Sequence, residues 1–332
     1  MADIKQVAER AGVSIATVSH VVNNTRFVSD TTKSKVEHAM KELDYQPNSV
    51  ASSLRSQKTN TIGLIVPILP SDTSNFFFMT VAQGIQNELK KNGYHLLLST
   101  NTTENIEDEK EQIRLFNSKR IDGLIIAPIA EEMSYLNDLV TKYPVVFIDR
   151  RTKGYEADCV LADGFGGSYQ AVKTLIERGH RNIGLITGGL GITTSDERLN
   201  GYRKALEDHQ ISFDPSKVKV ARSTFESGYE SAREMLAEHD VTALFITNNV
   251  LTMGAMGYLQ EKQIRIPEEL SVIGFDDYDW TRITSPPLTV IRQPSYELGE
   301  KAAKVLLSRI KQKTQKCKNY CLDTTLVMRG SC

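Results

Sequence analysis

The sequence predicts two unlike parts in one chain: an all-α head over residues 1–46 and an α/β body over residues 61–332, built of doubly wound parallel sheets in two lobes. Three observations lead there. Apolar residues near the start recur with the 3.6-residue period of short helices. From Thr61 onward, short continuous apolar runs alternate with amphipathic stretches, as strands do when helices cover both faces of a sheet. A thin serine-bearing connector, residues 47–60, separates the two patterns.

The head reads as three helices. Ile4, Val7, Ala8 and Ala11 stand at i, i+3, i+4 and i+7, one buried stripe. Gly12 follows where a tight turn needs a permissive backbone. Ser14 is a natural N-cap for a second helix, with Val18, Val21 and Val22 inward. Ser29 or Asp30 caps a third helix lined by Val36, Met40 and Leu43. Helix, glycine turn and helix make a helix-turn-helix. Placed in a DNA major groove, the second helix offers Ile15 and Ala16 to a thymine methyl and His20 to guanine acceptors. Ser14, Thr17, Ser19, Asn23 and Thr32 are short polar groups suited to phosphates. Periodicity alone fits a generic three-helix bundle equally well.

The connector begins after Pro47. Asn48 can cap Ser49–Arg55, which is shorter than the roughly 12–15 residues an isolated helix needs in water. It is expected to be helical only when held.

In the body, apolar runs at 62–66, 95–98, 123–126 and 145–148 alternate with helical stretches near 76–92, 106–119 and 131–142. A second series follows at 159–161, 183–186, 218–220, 244–246 and 272–274. Two such series predict two lobes, 61–160 plus 291–320 and 161–290, with the chain crossing near 160 and 290 and a cleft between. Ligand groups in such sheets collect at the carboxyl ends of strands. Those ends carry Asp72–Phe78, Asp149, Thr193–Arg198, Asn248–Asn249 and Asp276–Asp277. Carboxylates, amides and a guanidinium beside aromatic rings suit a polyhydroxylated ligand.

Bulk properties narrow the class. Residues 1–58 hold eight Lys/Arg against six Asp/Glu, a mild +2, which leaves −3 on the remainder of a chain whose net charge is −1. A DNA reading therefore rests on arrangement rather than on net charge. Apolar runs fall far short of the roughly 20 residues of a membrane span, and no secretory leader is evident. Cys159, Cys317, Cys321 and Cys332 match neither a disulfide framework nor a zinc pattern, and only Cys317 and Cys321 are near in sequence. There is no phosphate-binding lysine loop, Gly188-Gly189-Leu190-Gly191 is not a dinucleotide fingerprint, and the histidines are scattered. His180 reads as a cap on the preceding helix. No enzyme, metal or cofactor is indicated; an α/β sugar kinase or dehydrogenase is the weakest reading.

Residue identity in the head goes further. Ile4–Ala8, Ala11–Ser14, Thr17–Asn23 and Val28 through Leu43-Asp44-Tyr45-Gln46-Pro47-Asn48 resemble the lac repressor/galactose repressor family of bacterial transcription regulators. His20 and Thr25–Val28 are especially similar to its purine repressor branch, from which Ile15 and Ala16 differ. In the body the resemblance continues through Gly179–Gly184, Arg198–Tyr202 and Pro287–Ile291. It implies a core like a periplasmic sugar-binding protein, with effector contacts at Phe77, Phe78, Asp149, Thr194, Arg198, Asn248 and Asp276. It also implies a hinge helix on DNA using Val50, Ala51, Leu54 and Arg55, with Leu54 wedged into the minor groove. Two departures stand out. Ser52 replaces a common arginine, and Ser223 stands where an aromatic is frequent, leaving Phe225 or Trp280 as substitutes.

The resulting expectation is a cytoplasmic, nucleoid-bound homodimeric repressor of carbohydrate-use genes. It would bind palindromic double-stranded operator DNA under control of a sugar-like effector. No leucine heptad follows Leu326–Arg329, so a dimer rather than a tail-linked tetramer is expected. Two alternatives stay open: a purine- or nucleoside-responsive repressor, and a global regulator with a phosphorylated carrier protein as co-regulator. A free solute-binding protein would have no use for the head.

Overall fold

The computed structural model describes residues 2–23, 26–45, 59–68, 75–101, 105–140, 142–312 and 316–332. The chain divides into two units, Met1–Thr59 and Asn60–Cys332.

In the first unit, α1 spans Ile4–Ala11, α2 Ile15–Asn23 and α3 Asp30–Glu42. Asp3 and Gln6 form a reciprocal capping box at the start of α1, and Gly12 closes it in the left-handed conformation, φ 64°. The Ser14 hydroxyl accepts the Thr17 N–H at 3.1 Å, and Ser29 accepts that of Thr32, so Ser29 rather than Asp30 caps α3. Val7, Ala8, Val18, Val36 and Ala39 form the buried centre, with Met40 and Leu43 packed against it. Arg10 grips Glu42 through two hydrogen bonds of 2.7 and 2.9 Å, tying α1 to α3 and holding the Glu42 carboxyl below its usual range.

The second unit contains two six-stranded sheets. Lobe 1 is ordered β11-β5-β4-β3-β1-β2, from β1 (Thr61–Pro67), β2 (His95–Asn101), β3 (Gly123–Ile126), β4 (Val145–Ile148), β5 (Asp158–Ala162) and β11 (Asn319–Leu322). Lobe 2 is ordered β12-β10-β9-β8-β6-β7, from β6 (Ile183–Thr187), β7 (Val218–Val220), β8 (Ala243–Ile246), β9 (Ser271–Phe275), β10 (Thr289–Arg292) and β12 (Thr325–Val327). Every pairing is parallel except β10 with β12. The central strands are buried along their whole length, as continuous apolar runs require.

Around lobe 1 lie α4 (Asn75–Lys91), α5 (Ile106–Ser118), α6 (Leu136–Leu139) and α12 (Ser295–Lys311). Around lobe 2 lie α7 (Gly164–Glu177), α8 (Thr193–Asp208), α9 (Phe225–Glu238), α10 (Asn249–Glu261) and α11 (Trp280–Ile283). Helices α4 and α12 approach so closely at Gly84 and Gly299 that a Cβ on either would meet backbone of the other helix within 2.1 Å.

Several elements differ from the sequence reading. Among the described residues of 131–142, the α-helix covers Leu136–Leu139 alone. The start of that stretch is drawn off by Lys153, whose carbonyl accepts the Met133 N–H at 2.9 Å. Strands β10, β11 and β12 were not anticipated. Since β10 ends at Arg292 in lobe 2, the second crossing lies after 292 rather than near 290, and a third crossing after Leu322 returns the chain to lobe 2. His180 does not cap a helix with its ring. Its Nδ1 meets the Thr242 hydroxyl and its Nε2 the Ser271 hydroxyl, both at 2.9 Å. All four cysteines are free thiols.

Candidate functional site

Two aspartates mark the site. Asp149 follows the last residue of β4 and Asp276 the last residue of β9, and both adopt left-handed backbone, φ 68° and 74°. Each N–H still reaches the neighbouring strand: Asp149 donates to the Val160 carbonyl at 3.1 Å, and Asp276 to that of Ile291 at 2.8 Å. This conformation costs an L-residue about 1 kcal/mol, least for Asp and Asn. Such strain concentrates at functional sites.

Both aspartates line one cavity between the lobes. Lobe 1 contributes Phe77, Phe78 and Arg150; lobe 2 contributes Thr194, Ser195, Arg198, Ser223 and Asn248; Gln293 enters from the second crossing. Phe77 and Phe78 pack edge to face, 5.1 Å between ring centres, and only 6% and 4% of each residue is exposed. The Arg198 guanidinium lies 3.8 Å over the Phe275 ring and donates to the Thr247 carbonyl at 2.7 Å. Its Nε is buried without a hydrogen-bond partner in the protein. Burial pulls the Arg198 pKa down, while Asp276, Asp149 and Glu197 favour its charged form. Arg150 donates to the Pro128 carbonyl at 3.2 Å and stands 3.5 Å from Asp149.

The amides are held by their surroundings. Asn248 Oδ1 caps α10, accepting the N–H groups of Val250 and Leu251 at 2.9 and 3.1 Å, which turns its Nδ2 to Ser223 Oγ at 3.3 Å. Gln293 Nε2 donates to Asp276 Oδ1 at 2.7 Å. A buried carboxylate backs Arg150. Glu109, on α5, accepts the Tyr135 hydroxyl and the Ile129 N–H, and so fixes the turn whose Pro128 carbonyl holds Arg150. Burial raises the Glu109 pKa.

The seven residues expected around an effector, Phe77, Phe78, Asp149, Thr194, Arg198, Asn248 and Asp276, all line this cavity. Asn249 and Asp277, which follow the same strands, do not. Asn249 accepts the Trp280 indole N–H at 3.0 Å, and Asp277 is buried against Arg329 and Arg292. Neither expected substitute for an aromatic at Ser223 lies in the cavity. Phe225 packs beside Gly257, and Trp280 against the lobe 2 core. Arg150 and Gln293 were missed. Arg150 could have been found as the residue beside a strand-end aspartate; Gln293 was hidden because β10 was not read as a strand.

In the first unit, Ile15 is 44% exposed at the start of α2, with Ala16 exposed beside it, while Thr17, Ser19 and His20 are half-buried. The Ser14 and Thr17 hydroxyls lie 2.9 Å apart, so their expected phosphate role competes with capping. Asn23 ends the helix. Val50, Ala51, Leu54 and Arg55 lie outside the described residues. Among the described residues, no His, Cys, Asp and Glu cluster is placed to hold a metal, and no helix is long and apolar enough to cross a membrane.

Comparison with known proteins identifies both units. The family model for bacterial regulatory proteins of the lacI family matches residues 3–48, and that for a periplasmic binding protein-like domain matches 172–332. The HTH-type transcriptional repressor PurR of Vibrio atlanticus is 37% identical over the whole chain and 98% of its own length. This chain belongs to the lacI family. The ribose operon repressor of Haemophilus influenzae, also a relative, is 36% identical over 100% of this chain and 98% of its own. The crystal structure of the lac repressor dimer bound to operator and the anti-inducer ONPF superimposes with a TM-score of 0.88, at 29% identity, covering 99% of this chain and 98% of that one. As a lacI-family protein, the chain is a DNA-binding regulator of transcription and not an enzyme.

Proposed function

We propose that this chain is a homodimeric repressor of carbohydrate-use genes whose operator affinity is set by a small polyhydroxylated effector in the inter-lobe cavity. One observation carries the effector half: seven residues scattered from Phe77 to Asp276, all on stretches that follow strand ends and singled out by the family resemblance, line one cavity. Its carboxylates accept, its guanidinium and amide groups donate, and together they match the alternating donors and acceptors of a polyol. The DNA half is supported by the exposed Ile15 and Ala16 at the start of the second helix, where a helix-turn-helix reads base edges. Dimerisation is supported by the operator-bound dimer of the similar lac repressor, since two-fold symmetry reads a palindrome. A regulator of this kind works in the cytoplasm, where its DNA lies. Val50, Ala51, Leu54 and Arg55 would form the hinge on the minor groove. Coupling requires the effector to bind the DNA-bound and free states with different affinity.

The experiment is an operator-controlled reporter in cells grown on different carbon sources. Asp276→Asn keeps a side chain that tolerates left-handed backbone. It is expected to retain repression and lose the response to carbon source. An unchanged response would remove the cavity from the control circuit.

A further inference from the structure

The edge of the lobe 1 sheet that faces away from the cavity is cationic. All six strands begin there: Thr61 pairs with His95, Ile62 with Gly123, Leu124 with Val145, Val146 with Asp158 and Cys159 with Asn319. Parallel strands need helical crossovers, which carry the chain back to this edge. Lys90 stands in the last turn of α4, Lys119 caps α5, Lys142 precedes β4, Lys311 ends α12, and Lys316 and Lys318 precede β11. All six are exposed. Among the described residues none of the six forms an ion pair, whereas Lys91, Lys304 and Arg309 are taken by Glu88, Glu300 and Asp158. Exposed carboxylates near these turns are fewer, Asp138 and Glu156. Residues 301–318 hold seven Lys/Arg and no Asp/Glu, in a body whose net charge is −3.

Two features of the backbone fix the arrangement. Asp158 accepts the Lys318 N–H at 2.9 Å, and its partner Arg309 donates to the Lys316 carbonyl at 2.8 Å, which pins the lysine-bearing segment to the start of β5. The chain also enters lobe 1 on this edge. The Asn60 carbonyl accepts the His95 N–H and the Thr61 carbonyl the Asp122 N–H, both at 2.8 Å, so the entry lies between the turns after Lys90 and Lys119. The connector thereby tethers this edge to the duplex that the helix-turn-helix holds.

The helix dipole favours a cation at a C-terminus by about 0.3–1 kcal/mol, and could by itself gather lysines here. Lobe 2 separates the two causes, because its helices end on the matching edge of its own sheet. There the lysines are neutralised: Lys204 by Asp208 at 2.9 Å, Lys217 by Asp214 at 3.5 Å and Lys262 by Glu261 at 3.0 Å. Arg265 is likewise held by Glu269 at 2.6 Å, with Arg178 and Arg181 as exceptions. Helix ends alone would leave both lobes with free lysines. The surplus in lobe 1 calls for an anion from outside the chain.

We propose that this edge of lobe 1 is a second DNA contact, in which its lysines, Lys311, Lys316 and Lys318 foremost, pair with backbone phosphates of the duplex that the helix-turn-helix reads. Lysine serves phosphate as a point charge and needs no fixed fork geometry, so the contact adds affinity without reading sequence.

The test uses the full-length protein and two labelled duplexes, one of arbitrary sequence and one selected from a random pool by the wild type. Anisotropy titrations across roughly 50–200 mM KCl give the affinity and its salt slope. The triple variant Lys311→Gln, Lys316→Gln, Lys318→Gln is expected to bind both duplexes about 10-fold more weakly at low salt. Its plot of log affinity against log salt should be shallower by at least about 0.9, the share of one phosphate. The loss should be equal on the two duplexes, and arginine at the same three positions should restore affinity and slope. Lys204→Gln with Lys262→Gln, on the matching edge of lobe 2, should change neither. An unchanged slope in the triple variant overturns the proposal. So does a loss confined to the selected duplex, which would act through base reading, or an equal loss in the lobe 2 variant, which would reflect net charge alone. Intact DNA binding with lost binding to polyglutamate would assign the edge to an acidic protein and overturn it too.

Discussion

Asp149 and Asp276 occupy matching places in the two lobes, yet the residues after them do opposite work. Both aspartates end a central strand in left-handed backbone and donate to the adjacent strand. After Asp149, Arg150 lines the cavity. After Asp276, Asp277 is buried away from the cavity against Arg329 and Arg292. In lobe 1 the buried carboxylate that pairs with an arginine lies elsewhere, at Asp158, which takes Arg309 through two bonds of 2.5 and 2.9 Å and the Lys318 N–H at 2.9 Å. Topology therefore repeats the backbone device, while side chains divide the labour. Each lobe also uses a carboxylate to fasten the C-terminal stretch that crosses between them.

The largest expected effect breaks those clamps. Asp158 and Arg309 are nearly dry, at 1% and 12% side-chain exposure, so Asp158→Ala strands a guanidinium and should cost about 3–5 kcal/mol. Asp277 shares its charge with Arg292, half exposed at 49%, and with Arg329. Water can resolvate part of that network, so Asp277→Ala should cost less. Urea denaturation of the two variants checks the order, and a larger loss for Asp277→Ala would reverse the comparison.

The next effect isolates the shared backbone. At Asp149, replacement by Gly should leave the protein about 1 kcal/mol more stable than replacement by Ala, because only Ala resists positive φ. The same ordering is expected at Asp276. A reversed order at either position, measured by thermal unfolding, would show that strain there is relieved by something other than backbone freedom.

These contrasts also show what sequence could reveal. Buried parallel strands advertise themselves as unbroken apolar runs, so both lobes and the strand-end aspartates were legible. Ile15 and Ala16 stood out because apolar residues on the outer face of a helix are unusual. Edge strands lack that signal. Strand β11 alternates exposed and half-buried residues, Asn319-Tyr320-Cys321-Leu322, and β12 has three residues. Their positions depend on the Asp158 and Asp277 clamps, partners more than 50 residues away. Gln293 was lost with β10, a four-residue strand following Pro286-Pro287. The helical pattern of 131–142 was overridden by pairing with Lys153, a tertiary contact that periodicity does not encode.

The smallest expected effect concerns the opposite ends of the strands, where the lobes again differ. In lobe 1, Asp122 before β3 bonds the Thr61 N–H, joining two adjacent strands. In lobe 2, a histidine does this work: His180 spans from β6 to the starts of β8 and β9 through Thr242 and Ser271. Burial, and secondarily Arg178, lower its pKa below the usual imidazole value. The folded protein thus binds this proton less readily than the unfolded chain. The stability His180 contributes is therefore present above about pH 6.5, the ordinary value, and is lost as pH falls through the lowered one. A ring that must bridge two hydroxyls through both nitrogens also needs one nitrogen as acceptor if either hydroxyl is already donating, and protonation removes that option. Melting temperatures followed from pH 7.5 down to 5 should fall more steeply for the wild type than for His180→Asn. Parallel curves would place the acid sensitivity of lobe 2 elsewhere.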